Sequence, residues 1–103
     1  MFSTRLINHN DTQLLNICDI DLLGKTIKND NFTLKISEKY YAERVIEKEE
    51  AKELLKKSNS INMAGKEIIS LSTSIVVGSQ TGVKEINGIP FLIVFKILII
   101  NII

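Results

Sequence analysis

Cys18, Asp19, Asp21, Lys25 and the distant His9 are the side chains of this sequence whose types could support chemistry. The stretch Cys18-Asp19-Ile20-Asp21-Leu22-Leu23-Gly24-Lys25 sets a thiol, two carboxylates and an amine within eight residues. A thiol attacks as the thiolate and needs a base beside it. His9 is the chain's one histidine. Residues 1–18 read as a hairpin with His9 at its bend, so six to eight residues, or roughly 20 Å at about 3.3 Å per residue, separate it from Cys18. That distance excludes a Cys-His dyad within one chain, and Cys18 is expected to pack as a small buried hydrophobe.

Metal chemistry is equally short of parts. One Cys and one His do not complete a structural zinc site. Asp19 and Asp21 lack the surrounding loop of oxygen ligands that a calcium site requires. Asp19 reads more simply as the cap of a helical turn through Leu23, closed by Gly24 at a positive φ. Gly24-Lys25-Thr26 matches the end of a phosphate-binding loop, but the glycine needed five residues earlier is Asp19, whose charge repels phosphate. No catalytic residue, metal or cofactor is therefore expected. The rival reading from another class is a small-ligand or anion-binding enzyme with its site at Asp19 to Lys25.

Lys35, Lys39, Tyr40, Tyr41 and Arg44 form the cluster that suits RNA, with cations for phosphates and rings for bases. Lys25 joins them as a further basic contact. The segment Glu47 to Lys57 carries acids as well as bases, so it adds no continuous basic stripe.

These residues need elements to position them. Phe2, Thr4 and Leu6 alternate with Ser3 and Arg5, predicting a strand that returns after His9-Asn10-Asp11 as Thr12 to Cys18. Lys25 to Lys28 and Phe32 to Ile36 flank Asn29-Asp30-Asn31 as a second hairpin, with Phe32, Leu34 and Ile36 inward. Residues 37–46 read as irregular, anchored by Tyr40-Tyr41 and Val45-Ile46. Glu47 to Lys57 is a helix, since Ala51, Leu54 and Leu55 share a face, with acids early and lysines late. Ile61, Ala64, Ile68, Leu71 and Ile75 predict a second helix, capped by Ser60 and stopped by Gly78, and a link of about three residues should pack the two as a pair. Asn87-Gly88 signals a hairpin before Ile89, with Pro90 confined to an edge or a strand start. Phe91 to Phe95 is apolar on both faces, as in a strand covered on both sides.

Composition bounds the rest. A chain of 103 residues with 45% hydrophobic and 24% charged residues suits one globular core rather than a disordered tail. A net charge of +1 gives no global pull toward nucleic acid, so any basic patch is local. The lone cysteine and the absence of a signal-peptide pattern predict a cytoplasmic location. From Ile89 the last fifteen residues include Pro90, Lys96 and Asn101, too few and too interrupted for the roughly 20 apolar residues of a membrane span.

Cys18-Asp19 with Leu22-Leu23-Gly24-Lys25, the acid-rich helix from Glu47, Asn62-Met63-Ala64-Gly65-Lys66-Glu67, and Asn87-Gly88-Ile89-Pro90 together resemble the archaeal Domain of Unknown Function 424 family over residues 1–97. The resemblance marks Cys18, Gly24, Asn62, Gly65, Gly88 and Pro90 as structural motif positions. It implies no activity, and its archaeal distribution implies a housekeeping role such as translation. The family pattern places a histidine after the proline, where this chain has Phe91.

The expectation is one α+β domain over residues 1–97, a mainly antiparallel sheet of two N-terminal hairpins and a C-terminal strand or hairpin packed against a helix pair. Residues 98–103 form an apolar extension, read as a possible homodimer contact or other protein-protein element. The expected function is a non-catalytic binding module for RNA or a ribosome-associated protein, with no membrane partner. Its hypothetical contacts are Asp19, Lys25, Lys35, Lys39, Tyr41 and Arg44.

Overall fold

A computed structural model describes residues 1–96. Strands β1 (Phe2–His9) and β2 (Thr12–Asp19) form a hairpin, followed by a single 3-10 turn at Ile20–Leu22. The short strands β3 (Thr26–Lys28) and β4 (Thr33–Lys35), helix α1 (Glu38–Tyr41) and strand β5 (Arg44–Ile46) come next. Helix α2 (Lys48–Lys57), strand β6 (Ser60–Ala64) and helix α3 (Lys66–Ser74) follow, and the chain finishes with β7 (Lys84–Ile86) and β8 (Ile89–Phe95). Six strands make one sheet in the order β5-β1-β2-β6-β8-β7, while β3 and β4 pair separately. Within the large sheet only β2 and β6 run parallel among the described residues. The fold is α+β with a mainly antiparallel sheet.

Local chemistry accounts for the turns. Asn10 and Asp11 hold φ of 47° and 65° between β1 and β2, and Asn87 and Gly88 hold 51° and 81° between β7 and β8. Two successive left-handed residues match the twist of the strands they join, and Asn, Asp and Gly tolerate that region best. Pro90 pairs with Glu85 one step beyond the last β6 partner of β8, Ala64 opposite Phe91. Its carbonyl accepts from the Gly65 amide at 2.9 Å, so the missing proline N–H is not needed there.

The ladder registers sort side chains to two faces. Phe2, Leu15, Ile17, Ile61, Met63 and Leu92 face the helices and bury against Ala51, Leu54 and Leu55 of α2 and Ile68, Ile69 and Leu71 of α3. Each fully buried Leu or Ile contributes about 1.5–3 kcal/mol, so this layer is the main source of stability. On the other face Cys18 and Ala64 are covered by Leu22, Ile27 and Ile36 from the 3-10 turn and the β3–β4 unit. Lys96 closes the core side by donating from Nζ to the carbonyls of Leu55 (2.5 Å) and Lys56 (2.7 Å) at the end of α2. Burial lowers the pKa of that ammonium.

The helix expected from Ser60 to Gly78 is a strand followed by a shorter helix. Ile61 with Ala64 fits a helical period and Ile61 with Met63 a period of 2, and the sheet decides between them because β6 fills the slot between β2 and β8. Gly65, at φ 119° and ψ 154°, then breaks the chain direction. The two helices are consequently joined by a strand, not by three residues. The stretch 37–46 is regular rather than irregular, forming α1 and β5. Of its expected anchors Ile46 is buried and Tyr41 half-buried, while Tyr40 and Val45 are exposed. Phe32 is exposed instead of inward: it closes the turn before β4, bonded through its backbone to Asn29, and lies outside the strand whose alternation would have turned it in. β8 is not covered on both sides: Ile93 and Phe95 are 59% and 74% exposed, since the small hairpin unit reaches only as far as Phe91. The expected extension at 98–103, with its dimer contact, lies outside the described residues.

Candidate functional site

Asp19 ends β2 and is 5% exposed. Its expected role as cap of its own turn is overturned: the side chain makes no bond there. The carboxylate instead reaches across to α3, where Oδ2 accepts from the Glu67 amide at 2.9 Å and Oδ1 from the Ile68 amide at 2.8 Å. A residue 48 positions away thus satisfies the first free amides of α3 and places a negative charge at its positive end. Burial raises the Asp19 pKa, the two amides oppose that, and the nearby Glu67 and Asp21 charges add to the rise. Gly65 is required beside it. A Cβ on Gly65 would land on the Asp19 carboxyl group, and φ 119° is closed to other residues in any case.

This bracket draws three distant segments together. Asp19, Asp21 and Leu22, then Gly65, Lys66 and Glu67, and finally Gly88, Ile89 and Pro90 line one open cavity of about 350 Å³. Of the structural motif positions Gly65, Gly88 and Pro90 meet at this junction, whereas Asn62 lines a different cavity and Cys18 and Gly24 line neither. Each oxygen of Asp19 accepts from one backbone amide, so the side chain ties the end of β2 to the start of α3. Lys66, not Lys25, is the lysine at this cavity. Lys25 lies exposed after the 3-10 turn, its backbone bonded to Leu22 and Ile36.

Cys18 is fully buried, and burial followed by the charges of Asp19 and Asp21 pushes its thiol up to about 12. In the ladder it pairs with Ser3 while His9 pairs with Thr12, six rows away. Among the described residues no group of three His, Cys, Asp or Glu side chains is placed to hold a metal ion.

A second region lies on the uncovered part of the sheet. The registers put Arg5 on β1, Asn16 on β2, Asn62 on β6, Phe91, Ile93 and Phe95 on β8 and Lys84 on β7 on this face. Among the described residues, no strand position on this face is Asp or Glu. Asn62 Nδ2 donates to Asn16 Oδ1 at 2.9 Å, and Arg5 donates to the Lys39 carbonyl. A cavity of about 600 Å³ opens here between Tyr41 and Leu34 on one wall and Lys84, Phe91 and Ile93 on the other, with Asn62 in its lining.

The expected contacts divide between the two sides of the molecule. Lys25 and Lys35 lie on or beside the β3–β4 unit and Lys39 and Tyr41 on α1, the elements that overhang this face. Lys39 Nζ sits 6.0 Å from the centre of the exposed Tyr40 ring. Burial raises the Tyr41 pKa. Arg44 is elsewhere: it points to the helix side from β5 and forms an ion pair with Glu50 of α2. Asp19 likewise belongs to the other junction. Sequence reasoning missed Asn16, Asn62 as a surface amide, Lys84, Ile93 and Phe95. The alternation Phe91, Ile93, Phe95 was visible, but whether that face is covered depends on how far a separate hairpin extends.

Among the described residues no helix is long and apolar enough to cross a membrane. No curated protein matches the chain. A crystal structure of an uncharacterized conserved protein from Methanopyrus kandleri shares the fold, with a TM-score of 0.75 at 22% identity, covering 97% of this chain and 96% of that one. The family described as "Protein of unknown function (DUF424)" matches residues 7–97, and the chain belongs to it.

Proposed function

We propose that this protein is a non-catalytic module that binds single-stranded RNA across the open face of its sheet. The observation that carries the reading is an exposed apolar and aromatic sheet surface without a carboxylate among its described strand positions. Exposed Phe95 and Ile93 offer stacking area to unpaired bases, while Arg5 and Lys84 offer charge to phosphates. Lys25, Lys35 and Lys39 lie on or beside the β3–β4 unit and α1 next to this face, and Tyr41 lines its cavity. The described strand positions of this face would offer Arg5 and Lys84 of a second copy no carboxylate to pair with, whereas a phosphate backbone offers one negative charge per nucleotide.

The test is fluorescence anisotropy of a labelled mixed-sequence 12-nucleotide RNA at rising salt. Binding is expected to weaken with a log-log slope of roughly 0.7 per phosphate neutralised, and Phe95→Ala to reduce affinity at every salt concentration by the about 1–3 kcal/mol of one stacked base. No binding at low salt, or binding that Phe95→Ala and Lys84→Ala leave unchanged, overturns the reading.

A further inference from the structure

Resting on that reading, we infer that the cavity between Tyr41 and Phe91 receives one nucleobase of the bound strand, with Asn62 reading its edge. Its volume of about 600 Å³ is within the range of small-molecule sites, and its walls are largely apolar: Leu34, Ile86, Phe91 and Ile93 line it with the half-buried Tyr41. Two aromatic side chains in the lining suit a flat heterocycle. Lys84 supplies the charge in this lining and stands at the exposed edge strand, where a backbone phosphate would pass.

Asn62 provides the polar recognition. Its Nδ2 donates to Asn16 Oδ1 at 2.9 Å. One N–H and the Oδ1 acceptor of Asn62 are then left for a ligand, side by side. A donor next to an acceptor is the pattern on the pairing edge of every nucleobase, whereas an aliphatic side chain of a protein partner would leave that amide without a bond. The cross-strand Asn16 bond also holds the amide still, so little side-chain freedom is lost on binding.

The experiment compares two labelled six-unit oligomers, uridine hexamer and an abasic ribose-phosphate hexamer of equal charge, on the full chain. The wild type is expected to prefer the uridine oligomer by about tenfold or more, as base stacking and hydrogen bonding require. Asn62→Ala, at an exposed position with circular dichroism as the check on folding, is expected to erase most of that preference while leaving abasic binding unchanged. Lys84→Ala is expected to weaken both oligomers alike. Equal wild-type affinity for the two oligomers overturns the base site together with the stacking on Phe95. Failure of both oligomers and of the 12-nucleotide RNA overturns the two readings together. A preference that survives Asn62→Ala overturns the base site, while the RNA reading with its stacking on Phe95 stands.

Discussion

Gly65→Ala should be among the most damaging single-methyl changes available to this protein, and the structure sets the size of the loss. A non-glycine residue held at φ 119°, ψ 154° occupies a sparsely populated region at a cost of about 1–3 kcal/mol. The added Cβ also lands on the Asp19 carboxyl group, which must move off the Glu67 and Ile68 amides. Loss of a helix cap costs about 0.5–2 kcal/mol more. The total of about 1.5–5 kcal/mol is a large part of the about 5–15 kcal/mol that holds a domain of this size. Urea titration followed by far-ultraviolet circular dichroism measures it. The decisive form is a double-mutant cycle with Asp19→Ala. Once the carboxyl group is gone, the steric part of the Gly65→Ala penalty disappears, so the two changes should be non-additive by at least about 1 kcal/mol. Additive losses, or a Gly65→Ala penalty below about 1 kcal/mol, would refute the bracket between β2 and α3.

Two other perturbations follow from the same coordinates. Val76, at φ 62° and 89% exposed after α3, is a β-branched residue in the left-handed region, where glycine is the usual occupant. Val76→Gly should therefore stabilise the protein by roughly 1 kcal/mol, and an unchanged or lowered urea midpoint would contradict the strain assigned there. Cys18, with its thiol pushed up to about 12 from an ordinary 9.0, should resist alkylation by iodoacetamide at pH 8 until the protein is unfolded. The sign for stability follows from linkage. The folded thiol keeps its proton where the unfolded one loses it, so this contribution is complete below about pH 9 and is lost as pH rises toward 12. Replacing Cys18 with Ala should remove that part of the alkaline loss, and an identical alkaline profile in the variant would count against it.

What the sequence determined by itself is local. Asn10-Asp11 and Asn87-Gly88 specify tight turns through backbone preference alone, and the Ala51-Leu54-Leu55 face with its charge gradient specifies α2, because both signals act within a few residues. The separation of His9 from Cys18 was also legible, since one imidazole at a bend and one thiol in a strand are fixed by position along a hairpin. The tertiary structure decided everything that depends on neighbours distant in the chain. Ile61 pairs with Ala64 in one periodicity and with Met63 in the other, and only the slot between β2 and β8 makes the segment a strand. Asp19 looks like the cap of the turn it precedes, but the free amides of α3, brought near by the β2–β6 pairing, compete for it and win. Phe95 and Ile93 read as core, and their exposure follows from where a separate hairpin stops covering the sheet. Burial is a property of the assembled layers, and no window of sequence contains both the strand and its cover.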